Sequence, residues 1–132
     1  NWDLVDLVAP KILGDYLVGH PEKRKILDDF SEMTDSLWHQ RVAIVATYTM
    51  ICNGVYDDTL RISERYIDHT HDLIHKASGW MLREVDKRGG ENELRDFLDR
   101  YATSMPRTML RYSIERFPEQ ERQYYLKLRK DD

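Results

Sequence analysis

Trp80 stands among cations, with Lys76 four residues before it, Arg83 three after and Lys87 seven after. Projected on a helix at about 100° per residue, these four share one side, and Ile74, Ala77, Met81 and Val85 form an apolar stripe on the other. Trp80 is therefore expected to sit exposed among three positive charges. An indole in that setting suits a phosphate-and-sugar surface. The pattern also fits a ring at a helix edge covered by lysine stems. Arg41 is a second candidate. It is the only formal charge between Asp35 and Asp57, in a run apolar nearly all round (Val42, Ala43, Ile44, Val45, Ala46, Met50, Ile51). Such a helix is usually central, and an arginine in it needs a partner, either a protein carboxylate or a ligand's phosphate.

Trp2 and Asp6, four apart, place a ring and a carboxylate on one helix face, a pairing common on surface helices. Arg107 and Arg111 repeat that spacing with two guanidinium groups, which could grip a phosphate backbone or simply face solvent. His71-Asp72-Leu73-Ile74-His75 has the spacing of a zinc-hydrolase helix, with Asp in place of Glu. Asp is one methylene short for the base role, no clear third ligand follows, and the pair lies where a helix begins. No metal and no other cofactor is expected.

Helices must position all of these residues. No segment shows the period-two alternation of a strand, and the expected class is all-α. Asn1 can cap a helix from Trp2 to about Val8, which Pro10 interrupts or restarts. Pro21 opens a helix running to about Met33. Asp35 and Ser36 can cap a helix through Cys52, ended by Asn53-Gly54. Helices follow at roughly Asp57–Asp68 and Asp72–Lys87, the latter closed by Gly89-Gly90, then at Glu91–Ala102, Pro106–Arg116 and Pro118–Lys130. The short pairs invite a search for repeats, and His39 aligns with His75 at an offset of 36 residues. Two helices per unit of about 40 residues suggest a HEAT-like α-solenoid, with an ordinary bundle as the alternative.

At 132 residues, 41% hydrophobic and 33% charged, the chain is expected to be one helical-repeat domain spanning residues 1–132. The net charge of −4 is concentrated early: residues 1–35 hold eight acids and four bases, and the rest is neutral. Clustering of cations decides phosphate binding more than their sum. No run of about 18 apolar residues predicts a membrane span. The single Cys52 can form no internal disulfide, which suits a reducing cytoplasm. Asn1 is not an initiator methionine, and the helical pattern is under way by Trp2. The chain is therefore read as the C-terminal portion of a longer protein, an N-terminally truncated solenoid whose open edge invites self-association.

Four stretches resemble the AlkD-like, HEAT-repeat family of DNA alkylation-repair glycosylases: Asn1-Trp2-Asp3-Leu4-Val5-Asp6; Trp38 to Val45; His71 to Val85; and Met105 to Tyr112. They occur in the family's order and span essentially the whole chain. The resemblance implies an α-solenoid cradling double-stranded DNA with alkylated bases. It implies that Trp2, Asp6 and Trp80 are the catalytic residues and Arg41 the site arginine. Lys76, Arg83, Lys87, Arg107 and Arg111 are then candidate DNA-backbone contacts.

The implied reaction is hydrolysis of the N-glycosidic bond to a purine alkylated at N3 or N7, without base flipping. Such a base already carries positive charge, so its departure needs no general acid. Asp6 would stabilise the oxocarbenium-like sugar and water, Trp2 and Trp80 would press on the deoxyribose, and Arg41 would hold a phosphate. The rival readings are a non-catalytic HEAT-like module that binds DNA structure and a protein-binding scaffold, because chemistry belongs to the site and not to the fold.

Overall fold

A computed structural model describes residues 2–129, with the backbone alone for residues 2–7. Among the described residues the chain forms eight α-helices and no strand: α1 (Trp2–Gly19), α2 (Lys25–Ser31), α3 (Leu37–Cys52), α4 (Asp57–Tyr66), α5 (Asp72–Lys87), α6 (Glu91–Tyr101), α7 (Arg107–Ser113) and α8 (Glu119–Lys127). The all-α expectation holds. None of these helices is long and apolar enough to cross a membrane.

Local chemistry sets the ends of the long helices. The Ser36 hydroxyl accepts the His39 N–H at 3.3 Å to cap α3. The His71 ring accepts the Leu73 N–H at 3.2 Å to cap α5. Each helix is followed by a glycine with positive φ, Gly54 at 80° and Gly89 at 101°, a conformation a β-carbon resists.

Several expected boundaries are corrected. Pro10 does not interrupt the first helix, which runs unbroken from Trp2 to Gly19. An interior proline costs about 3 kcal/mol. Burying Leu17 completely, with Leu13 packed against the core beside it, offsets that cost. The helix expected from Pro21 becomes a 3-10 turn, Pro21–Lys23, followed by α2. Pro106 and Pro118 precede α7 and α8 rather than starting them, and α7 ends at Ser113.

The helices stack in two layers. In the front layer α1 packs on α3, α3 on α5 and α5 on α7. Behind it, α2 packs on α3 and α4, and α4 and α6 pack on α5. The last member, α8, is tied to α6 by the Arg95–Glu121 pair at 2.7 Å and the Tyr125–Asp99 hydrogen bond at 3.0 Å. α3, α5 and α7 begin at 37, 72 and 107, a constant period of 35 residues. That is one less than the His39–His75 offset. A constant period with front and back helices alternating is a helical-repeat solenoid.

The apolar stripe expected on α5 is the core seam. Ile74, Met81 and Val85 are fully buried and Ala77 is 2% exposed. Each large member contributes about 1.5–3 kcal/mol on burial. Close approach between front helices depends on two glycines. A β-carbon at Gly79 would lie 2.6 Å from Tyr112 Cβ and 2.8 Å from the Met109 carbonyl oxygen of α7. One at Gly14 would lie 2.7 Å from the Ala46 carbonyl of α3. The back layer is locked differently: Asp58, 1% exposed, takes Arg24 at 2.6 Å and Arg61 at 2.8 Å, joining the turn before α2 to α4.

Candidate nucleic-acid interface

The period of 35 puts equivalent residues on the same side of successive front helices. The fifth residue of α3 is Arg41, of α5 Lys76 and of α7 Arg111, so a cation recurs at one position in each. Packed helices lie about 8–10 Å apart. A ladder of positive charge at that spacing suits a polyanion better than a single small anion.

Arg41, Lys76, Trp80 and Arg83 line one depression of about 240 Å³ on the front layer. Leu73 and Ala77 form its floor with them, and Tyr112 of α7 closes it. α3, α5 and α7 all contribute. Trp80 departs from expectation in one respect: it is half-buried, with part of its ring packed against the core. The rest borders two recesses at once. On its other side a largely apolar recess of about 530 Å³ is lined by Pro10, Lys11, Val45, Tyr48 and Cys52, with Asp15 and Thr49 at the edge. Along α3 the residues Arg41, Val45, Tyr48 and Cys52 follow helical spacing from one recess to the other.

Arg83 and Lys76 have carboxylate partners. Arg83 donates to Glu115 at 3.0 Å and lies 3.8 Å from Glu84. Lys76 Nζ is 3.4 Å from Asp72. Desolvation raises the Asp72 carboxyl, but the Thr108 hydroxyl and the Lys76 ammonium outweigh it and hold the group below the usual carboxylate range. An incoming phosphate must displace these partners.

The remaining candidates are more scattered. Lys87 is exposed in the last turn of α5 and lines neither recess. Arg107 is exposed and donates to the Leu126 carbonyl at 3.0 Å, at the C-terminal end of α8. Arg111 is exposed on α7, outside the depression. The side chains of Trp2 and Asp6 lie outside the described residues. Their helix, α1, borders the Trp80 recess through Pro10, Lys11 and Asp15.

The histidines serve the backbone. His75 Nε2 donates to the His69 carbonyl, and His71 caps α5. His69 Nδ1 accepts the His71 N–H at 3.0 Å, so its proton is on Nε2, which donates to Gln40 Oε1 at 2.8 Å. Desolvation, with His75 and His71 nearby, depresses the His69 pKa. Among the described residues no three His, Cys, Asp or Glu side chains group as metal ligands would.

Sequence reasoning missed Tyr112, and with it Lys11 and Tyr48 on the opposite side of Trp80 and the Arg88 that holds Tyr48. Arg88 donates to the Tyr48 hydroxyl at 2.9 Å, with its guanidinium 5.8 Å from that ring's centre. A signal for Tyr112 existed in Gly79. A glycine inside a strong helical pattern marks the close approach of another backbone.

The two-layer stack defines the class, an all-α helical-repeat solenoid whose front layer carries the cations and Trp80. Residues 1–117 match the family described as DNA alkylation repair enzyme, and the chain belongs to that family. Neither the curated proteins nor the solved structures yield a match.

Proposed function

We propose that the protein is a DNA glycosylase acting on duplex DNA, excising purines that carry positive charge through alkylation at N3 or N7. The observation that carries this reading is the convergence of Arg41, Lys76, Trp80 and Arg83 from two front helices into one depression, with Trp80 also bordering the recess that α1 lines through Pro10, Lys11 and Asp15. The repeats are HEAT-like, and the basic ladder Arg41, Lys76 and Arg111 tracks a strand of the duplex. Lys87, Arg83 and Arg107 add backbone contacts.

The chemistry is a hydrolysis. A water oxygen bonds to C1′ as the C1′–N bond breaks, and the bond's electron pair returns to the base, which leaves neutral. Asp6 faces the oxocarbenium-like sugar and takes the water proton. Trp2 and Trp80 lay their electron-rich faces on the deoxyribose and favour its developing charge. Arg41 holds a neighbouring phosphate and fixes the distance between sugar and carboxylate. Because the backbone is gripped from one face, the lesion stays in the duplex, and its charge and weakened stacking supply selectivity.

The test compares wild type with Asp6→Asn, Arg41→Ala and Trp80→Ala on methylated duplex DNA, following free-base release, with circular dichroism as the fold control. The reading expects near-complete loss for Asp6→Asn and partial loss for the other two. Equal release by Asp6→Asn and wild type removes Asp6 from catalysis, and no release by wild type sinks the enzyme reading.

A further inference from the structure

We infer that Tyr112 is a further nucleotide-contacting residue of this site and that Gly79 is the residue that positions it; the inference rests on the DNA-binding reading above. Tyr112 is half-buried and closes the depression that Arg41, Lys76, Trp80 and Arg83 line. It is the only side chain α7 gives to that depression among the described residues, since neither Arg107 nor Arg111 lines it. The equivalent positions one and two periods earlier hold Ala77 and Val42, both buried. α7 thus carries a ring where the other front helices carry small apolar groups. A half-exposed phenol beside an indole and three cations presents a flat apolar face for a sugar or base and a hydroxyl for a phosphate.

Gly79 accounts for the ring's location. The atoms a β-carbon would meet, Tyr112 Cβ at 2.6 Å and the Met109 carbonyl oxygen at 2.8 Å, belong to the α7 backbone or the root of a side chain. No rotamer change relieves either contact, so alanine at 79 forces α7 away from α5. Residue 80, next in the chain, is the tryptophan of the site. A single glycine therefore sets the separation between the two rings.

The test is a binding cycle on a short fluorescein-labelled duplex containing one 7-methylguanine, with its unmodified counterpart as the reference. Wild type, Tyr112→Phe, Tyr112→Ala, Gly79→Ala and the Gly79→Ala/Tyr112→Ala double variant are titrated by anisotropy. Tyr112→Ala is expected to weaken binding about tenfold, the loss typical of removing one stacking ring. Tyr112→Phe is expected to stay within about twofold, because the ring provides most of the contact. Gly79→Ala should match Tyr112→Ala, and the double variant should bind no worse than either, because both changes remove one contact. A merely structural glycine would instead give losses that multiply. Wild-type affinity in Tyr112→Ala overturns the role of Tyr112, and multiplying losses overturn that of Gly79. Should Gly79→Ala fail to fold, Gly79 is assigned to folding and its positioning role is overturned, while Tyr112→Ala and Tyr112→Phe still test the tyrosine. Failure of wild type to bind either duplex strikes the glycosylase reading itself, and the wild-type arm separates that result from the others.

Discussion

Glu115 holds Arg83 at 3.0 Å, at the edge of the depression that also contains Trp80. A phosphate that uses Arg83 must first displace that carboxylate, so Glu115→Gln is expected to tighten DNA binding. The size follows from exposure. The two side chains are 28% and 58% exposed, and pairs of this kind are worth about 0.2–1 kcal/mol. Releasing that energy lowers Kd by about 1.4- to 5-fold. If Arg83 then makes a full phosphate contact, the log–log salt slope steepens by about 0.9. Anisotropy titrations of a labelled duplex between about 50 and 200 mM salt measure both quantities. The stability cost stays within about 1 kcal/mol, so circular dichroism and Tm serve as controls. Unchanged or weaker binding by a folded Glu115→Gln protein, with an unchanged slope, would refute a phosphate role for Arg83.

Other expectations follow from the back layer and the turn before α5. Asp58→Ala removes the buried carboxylate that joins Arg24 to Arg61, leaving Arg24 with Asp57 at 3.6 Å and Arg61 with Asp28 at 2.9 Å, and should cost about 1–3 kcal/mol in urea unfolding, less than for an isolated buried pair. His69 has a depressed pKa in the folded state, so its unfolded form binds the proton first as pH falls. Above the unfolded value of about 6.5 the ring is neutral in both states and stability is complete. Between that value and the lower folded one, stability is lost as pH falls. Tm should therefore drop as pH falls below about 6.5, and His69→Gln should flatten the profile. Asp28 behaves as the carboxylate counterpart: burial raises it, but Arg61 and Arg65 more than compensate and leave it low. Its contribution is present above the unfolded carboxylate value of about 3.9 and is lost as pH falls through the folded value, a loss that Asp28→Asn should remove.

The helices were legible in the sequence because caps, glycines and the apolar period coincide. The α5 seam of Ile74, Ala77, Met81 and Val85 came directly from its spacing, and all four are buried. Pro10 misled because a local rule predicts a break, whereas packing of α1 on α3 keeps the helix intact. Arg41 and Trp80 were each conspicuous alone, one a charge in an apolar run and the other a ring among cations. Their meeting in one depression depends on how far one front helix is staggered against the next, and composition does not encode that. Tyr112 was hidden for the same reason, as a tyrosine on a short polar helix until α7 is laid against Gly79. Asp6 and Trp2 rest on family resemblance, since four-residue spacing alone does not distinguish a site from a surface.

The central claim is that repair proceeds by cutting the bond between sugar and base. A duplex with a single 7-methylguanine, incubated with the protein and analysed by mass spectrometry of both the DNA and the released material, tests it most directly. The account predicts free 7-methylguanine, an alkali-labile abasic site in the strand, and loss of both with Asp6→Asn. Guanine restored in an intact strand, with the methyl group transferred elsewhere, would contradict it, as would an unchanged lesion.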